Sequence, residues 1–263
     1  MKRHLVLIAM VMGMFIISVV AGQNVQAQDT QIAVGLGAGF APDYEGSEDY
    51  AAVPLPYVNV KWSNHMSINW LGNKAKVNLI PSPIWKAGVV GEYIAERDDV
   101  DNNRVDRLED VDTSFMLGGF LGFEYQNWSA DIEAMVDVAD GNDGAIIRLN
   151  GGYRIPIDQS WLLSLGAFTT WADDDYMEAY FEIDNRDSDR SGLDKFGADS
   201  GLKDVGLNLA ASFKPWRHWG LMGLVSYKRL LDDDQGAPDR RPASANRCPP
   251  GSPPGRRPGT AWS

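Results

Sequence analysis

The chain has 263 residues, a formal net charge of −12 and a 44% apolar composition. A balance this acidic argues against nucleic acid as a partner, because neutralising phosphates takes Lys and Arg. The single cysteine, Cys248, excludes an internal disulfide framework, so stability has to come from sheet closure or a core.

In chain order, the first element is an export signal over residues 1–27. Lys2, Arg3 and His4 form a charged start, Leu5 to Val20 an apolar run, and Val25-Gln26-Ala27 a small-residue cleavage site. The run of about 16 apolar residues is short for a span of roughly 20, and no later segment approaches that length. Any membrane crossing by the mature chain must therefore use strands, which fits a mean hydropathy of only −0.26.

Eleven strands follow by period-two alternation. Gln31–Phe40 sets Ile32, Val34, Leu36, Ala38 and Phe40 against Ala33, Gly35, Gly37 and Gly39. Its GLGAG phrase has no helix after it, so the glycines read as room on a crowded barrel face and not as a phosphate loop. Val53–Trp62, Met66–Leu71, Ala75–Ile80 and Trp85–Ile94 come next, with pairing of the first expected only near Tyr57 because of Pro54 and Pro56. Asp112–Tyr125 leads into Asn127–Val138, where Trp128, Ala130, Ile132, Ala134, Val136 and Val138 alternate with Ser129, Asp131, Glu133, Met135 and Asp137. Ala145–Ile155 and Trp161–Trp171 precede an acidic segment in which Asp173, Asp174 and Asp175 are placed to cap a short helix over Tyr176–Phe181, with a strand as the alternative. Val205–Phe213 and Trp219–Tyr227 complete the set.

The connections then sort by side. If the first strand runs outward, those at 63–64, 81–83, 126–127, 156–160 and 214–217 fall together and all are short. Those at 41–52, 95–111, 139–144, 172–201 and from 231 onward fall on the other side, where only Gly72-Asn73 is short. A soluble sandwich has no reason to sort loops by parity, whereas outer-membrane barrels have short periplasmic turns and long outer loops. The fold expected is a transmembrane antiparallel up-and-down β-barrel over residues 28–234, with eleven recognisable strands of twelve. Its surroundings are outer-membrane lipid and lipopolysaccharide.

Candidate sites are few. His4 leaves with the signal, and His65 and His218 map to the periplasmic end, so none serves an outer-rim enzyme as general base. Asp99-Val100-Asp101-Asn102-Asn103 begins like a calcium loop, but Arg104 stands where the turn needs Gly. A looser cation site would combine Asp173, Asp174 and Asp175 with Asp98 or Asp101, against the plainer reading of a solvated acidic rim. Asp131, Glu133, Asp137, Arg148, Asn150 and Arg154 share the inward face of adjacent strands. They read as a cross-strand charge ladder, with a narrow cation-preferring pore as the other reading. The expectation is therefore no catalytic, cofactor-binding or metal residues, and no enzyme.

Several phrases resemble the MipA/OmpV family: PDYEGSEDY (Pro42–Tyr50) with PLPY after it, GNDGAIIRLNGGYRIP (Gly141–Pro156), TWADDDYMEAYF (Thr170–Phe181), SGLDKFGADSGLKDVGL (Ser191–Leu207) and HWGLMGLVSYKRLLDD (His218–Asp233). The resemblance implies a barrel proposed as a scaffold between a murein hydrolase, the lytic transglycosylase, and a murein synthase of the penicillin-binding type. It also implies surface roles such as adhesion in some members, and it brings no established catalytic residues. Relatives continue into a closing aromatic-rich strand. Here residues 235–263 hold five Arg against Asp239, a balance of +4 that leaves −16 on residues 1–234, and half of the fourteen prolines. This tail has no alternation and reads as a disordered, frameshifted product, which leaves one barrel strand missing.

Overall fold

A computed structural model of the chain describes residues 9–18, 30–42, 45, 47, 50–96, 111–139, 141–183, 185, 186, 188, 195, 197–216 and 219–231. The fold is all-β and antiparallel. Strands β2 (Gln31–Pro42), β3 (Tyr50–Lys61), β4 (Ser67–Leu71), β5 (Lys74–Asn78), β6 (Trp85–Ile94), β7 (Ser114–Tyr125), β8 (Trp128–Asp137), β9 (Ala145–Pro156), β10 (Trp161–Ala172), β11 (Gly201–Phe213) and β12 (Trp219–Leu230) each pair with their neighbours in sequence. These are the eleven strands expected from alternation. The place between β12 and β2 is occupied by β1 (Ala9–Ser18), which runs antiparallel to both and closes the barrel. The expectation of an empty twelfth place is thus corrected: the apolar run of the expected signal lies in it. The tail from residue 235 lies outside the described residues.

Burial along β8 shows what kind of sheet this is. Trp128, Ala130, Ile132, Ala134 and Val136 are exposed, while Glu133 and Met135 on the opposite face are buried. An apolar outside around a carboxylate inside is the reverse of a soluble sandwich, and it is what a strand with lipid on one face and a lumen on the other requires. The pattern repeats in β2, where Leu36 and Phe40 are exposed, and in β7, where Leu117 and Leu121 are exposed and Met116 is fully buried. At the short-turn end, exposed Trp62, Trp85, Trp128, Trp161 and Trp219 form an aromatic girdle, steadied by ring pairs such as Trp161 with Phe213 at 4.4 Å and Trp128 with Tyr153 at 4.6 Å.

Two boundaries differ most from the sequence reading. β11 begins at Gly201 and not at Val205, carried across a register shift opposite Thr170/Trp171. β3 pairs from Tyr50 and not from Tyr57, because the prolines do not face β2. Gly72 N–H donates to the Pro56 carbonyl at 2.9 Å, so the polar edge of Pro56, and of Pro54 two residues on, points toward β4. There β4 reaches only as far as the Tyr57–Leu71 pair, so no ladder bond asks for the missing N–H groups.

The helix is α1 (Asp174–Phe181), as the capping pattern predicts. Asp173 accepts from Tyr176 N–H at 3.1 Å, and Asp174 and Asp175 place negative charge in the first turn. Tyr176, Met177, Tyr180 and Phe181 are buried and pack with Val90, Met116, Met135, Ile146 and Ala172. The outer end of the barrel therefore holds an apolar cluster.

Candidate functional site

The lumen is built in layers. At the short-turn end a cavity of about 430 Å³ is lined by residues that include Lys61, His65, Lys76, Lys86, Arg154, Glu124 and Asp131. Above it lies an ion cluster from four strands. Glu133, with its side chain fully buried, sits between Lys74 and Lys76, with Arg148 Nη1 at 3.6 Å. Lys76 also reaches Asp131 at 2.9 Å, Lys74 reaches Glu92 at 3.5 Å, and Arg148 donates to Glu92 at 2.6 Å. Asn150 bridges Asp131 and Glu133 at 2.9 and 3.2 Å. Three cations thus face three carboxylates, and the layer is neutral where an unpaired charge would be costly.

The third layer ties an outer loop into the mouth. Glu45, in the β2–β3 connection, accepts from Lys203 Nζ at 2.6 Å, Lys228 Nζ at 2.5 Å and the Tyr176 hydroxyl at 2.8 Å. Burial alone would raise the Glu45 carboxyl, but Lys203 and Lys228 outweigh it and hold the group well below its usual range. Burial, with Glu45 adding to it, pushes the Tyr176 phenol well above its own range, so it stays a donor. Lys203 also lies 4.9 Å from the centre of the Tyr176 ring. With α1 behind it, this latch and the ion cluster occupy the side of the described lumen that runs from β5 to β12.

Of the residues singled out by sequence, Asp131, Glu133, Arg148 and Asn150 come together as the expected ladder. Asp137 does not join it. Its carboxylate gathers N–H groups of Ala139, Gly141 and Asn142 at 3.1, 2.7 and 2.7 Å and organises the turn after β8. Arg154 lies apart, 3.8 Å from Glu124 in the lower cavity. Asp173 is spent on the helix cap and on Ala145 N–H at 2.9 Å, and Asp174 accepts from Ser200 N–H at 2.5 Å. Asp98, Asp99, Asp101, Arg104, His4 and His218 lie outside the described residues. Among the described residues no three His, Cys, Asp or Glu side chains are grouped to hold a metal. His65 sits in the β3–β4 turn with φ +70°, its N–H on the Trp62 carbonyl at 3.0 Å. Sequence reading missed Glu45, Lys74, Lys76, Glu92, Lys203 and Lys228. For the five on strands the signal was present, since each sets a charge on the inward face of its strand.

An apolar exterior, an aromatic girdle, short turns opposite long loops and a charged interior define a transmembrane β-barrel of the outer-membrane type. Residues 34–238 match the family described as MltA-interacting protein MipA, and the chain belongs to that family. No curated protein matches it. Solved structures similar to it include the COG4313 outer membrane channel from Pseudomonas putida F1, at 12% identity over 85% of this chain and 95% of that one with a TM-score of 0.31. Another is a Salmonella typhi OmpF complex with daunomycin, at 8% identity over 85% and 97% with a TM-score of 0.26.

Proposed function

We propose that this barrel is a non-enzymatic outer-membrane scaffold whose periplasmic rim binds a lytic transglycosylase of the MltA type and, with it, a murein synthase. The observation that carries the reading is the occupied side of the lumen. Glu133 clamped between Lys74 and Lys76 and α1 seated above take up lumen space that an open channel would leave to water, which supports a role for the two rims. The family description, MltA-interacting protein, supports a partner of that type. That rim presents a suitable contact: Ile157 and Trp216 are 63% and 62% exposed, on turns joined by Lys214 N–H to the Ser160 carbonyl at 2.7 Å.

The test is co-purification of the full chain with an MltA-type transglycosylase and a penicillin-binding protein from crosslinked envelopes. Capture that is lost in Trp216→Ala and Ile157→Ser, with the barrel still heat-modifiable, is the expected result. Absence of both enzymes from the wild-type capture refutes the scaffold and leaves surface adhesion through the outer loops. The narrow cation-preferring pore is less favoured, because the lower cavity carries Lys61, Lys76, Lys86 and Arg154 against only Glu124 and Asp131.

A further inference from the structure

The wall of the barrel is not of even height. Tyr57, Leu71, Lys74, Glu92 and Met116 form one continuous row of partners across β3 to β7. Outward of that row β3 continues through residues 50–56 and β6 through 93–94, while β4 and β5 stop and turn at Gly72-Asn73. Among the described residues no strand fills the interval. At ordinary strand spacing it is roughly 14 Å wide, and it is bounded on the β3 side by about 23 Å of strand.

This notch is a built feature. Its floor is pinned to both walls: Gly72 N–H donates to the Pro56 carbonyl at 2.9 Å, Tyr93 N–H donates to the Asn73 carbonyl at 2.9 Å, and Asn73 Nδ2 donates to the Tyr93 carbonyl at 2.7 Å. Gly72 has φ +59°, the left-handed conformation that a two-residue hairpin turn starting on Gly takes without strain. The open edge of β3 presents Ala52, Pro54 and Pro56, and two of those three residues have no N–H. Proline on an edge removes donors that lipid leaves unsatisfied, and it blocks addition of a further strand. The notch also opens at lipid depth. The outward residues beside it are Ala52, Pro54, Pro56 and Val58 on β3 and Leu36, Ala38 and Phe40 on β2, with Tyr50 and Tyr93 at the rims.

Behind the notch the lumen changes character. Leu55 is buried on the inward face against Ala33, Val53, Tyr57, Leu71, Met222 and Leu224, all of them only partly covered. The α1 cluster packs instead on Val90, Met116, Met135, Ile146 and Ala172, from β6 to β10, and leaves the β2–β4 side to this second apolar surface. The α1 cluster is covered by its helix, whereas the apolar side chains around Leu55 are only partly covered.

We infer that the notch over Gly72-Asn73 is a lateral binding site for one acyl chain of a lipid in the surrounding outer leaflet, which enters between β3 and β6 and lies against Val53, Leu55 and Leu71. The prolines select this occupant. A β-strand needs the donors they remove, whereas a hydrocarbon chain needs only apolar surface on both sides of the wall, and that is what the notch joins. The site is separate from the periplasmic turns of the proposed scaffold, so its test is independent of partner binding.

The test uses the full chain folded in phosphatidylethanolamine and phosphatidylglycerol vesicles that contain phospholipid with a diazirine at the chain end. After photolysis, labelled residues are mapped by mass spectrometry. Val53, Leu55 and Leu71 are expected to be labelled although they face the lumen, together with outward controls such as Leu149. Leu55→Asp should lower the inward labelling about tenfold, equivalent to roughly 1.4 kcal/mol, and leave Leu149 unchanged. If that variant does not fold, the wild-type pattern decides by itself. Labelling confined to outward residues overturns the inference, as does inward labelling obtained only with a diazirine fatty acid supplied from water.

Discussion

Replacing Glu133 by Gln keeps the shape of the side chain and removes one charge from the mid-lumen cluster. In the native barrel Lys74, Lys76 and Arg148 face Glu92, Asp131 and Glu133; in the variant three cations share two carboxylates. Lys76 keeps Asp131 at 2.9 Å and Arg148 keeps Glu92 at 2.6 Å, so Lys74 is left with Glu92 at 3.5 Å as its remaining ion partner. Removing one member of a buried pair costs about 3–5 kcal/mol, and the lysines, 23% and 26% exposed, recover part of that from lumen water. We expect a loss of about 3 kcal/mol in urea unfolding from lipid vesicles, followed by tryptophan fluorescence. Adding Lys74→Met to Glu133→Gln restores the charge balance and should recover more than half of the loss, since neighbours in one network are not additive. A single variant within about 0.5 kcal/mol of wild type, or a double variant whose losses simply add, refutes the reasoning.

Glu45 gives a pH dependence with a definite sign. Its carboxyl is depressed in the folded state, so the latch contributes fully above the unfolded carboxyl value of about 4.3 and is lost as pH falls through the lower folded value. The stability gap between wild type and Glu45→Gln should close over that acid range and stay constant from pH 6 to pH 8, as read by unfolding at a series of pH values. Gly118→Ala sets a Cβ 1.9 Å from the Ala134 carbonyl oxygen and should cost about 1–3 kcal/mol, whereas Gly151→Ala meets nothing within 4 Å and should stay within about 0.5 kcal/mol by the same unfolding measurement. Wild-type protein in a planar bilayer should be silent, and Phe181→Asp, which buries a charge under α1, should give intermittent current as the plug loosens. A chain processed after Ala27 should lose the heat-modifiability that the unprocessed chain shows on gels, because the β1 ladders to β12 and β2 go with the leader.

How much of this was legible in the sequence follows from which interactions are local. Alternation along one strand is local, so Trp128 to Asp137 announced its period and its one apolar and one acidic face, the sorting of loop lengths told which face meets lipid, and Asp173 three residues before Tyr176 announced the helix cap. The charge cluster was only half visible. Asp131, Glu133, Arg148 and Asn150 lie on the consecutive strands β8 and β9, which any hairpin reading sets side by side. Lys74 and Glu133 are 59 residues apart and Glu45 and Lys228 are 183 apart, brought together only by curvature across the lumen. No pairwise strand pattern encodes that curvature. Pro54 and Pro56 misled because a proline in a strand was weighed against ladder bonds on both edges, when the short β4 leaves one edge of β3 without a ladder.

The same reasoning explains why residues 9–18 read as a leader and stand in the structure as a strand. Their apolar run has no alternation, so nothing in it separates a lipid face from a lumen face; an export signal and a strand bonded on both edges are each compatible with it. The barrel itself fixes what the place requires. β12 runs outward and β2 runs outward, so the element between them must run inward, and β1 does so, from Lys228 at its start to Trp219 at its end. That place needs backbone donors and acceptors along some ten residues and little from the side chains, since every unpaired group facing lipid costs several kcal/mol whatever the residue. Sequence specificity at the closing strand is therefore weak compared with the penalty for leaving it empty. At the β3 edge the opposite solution holds: a short neighbour leaves the edge open, and proline removes the donors that would otherwise demand a partner.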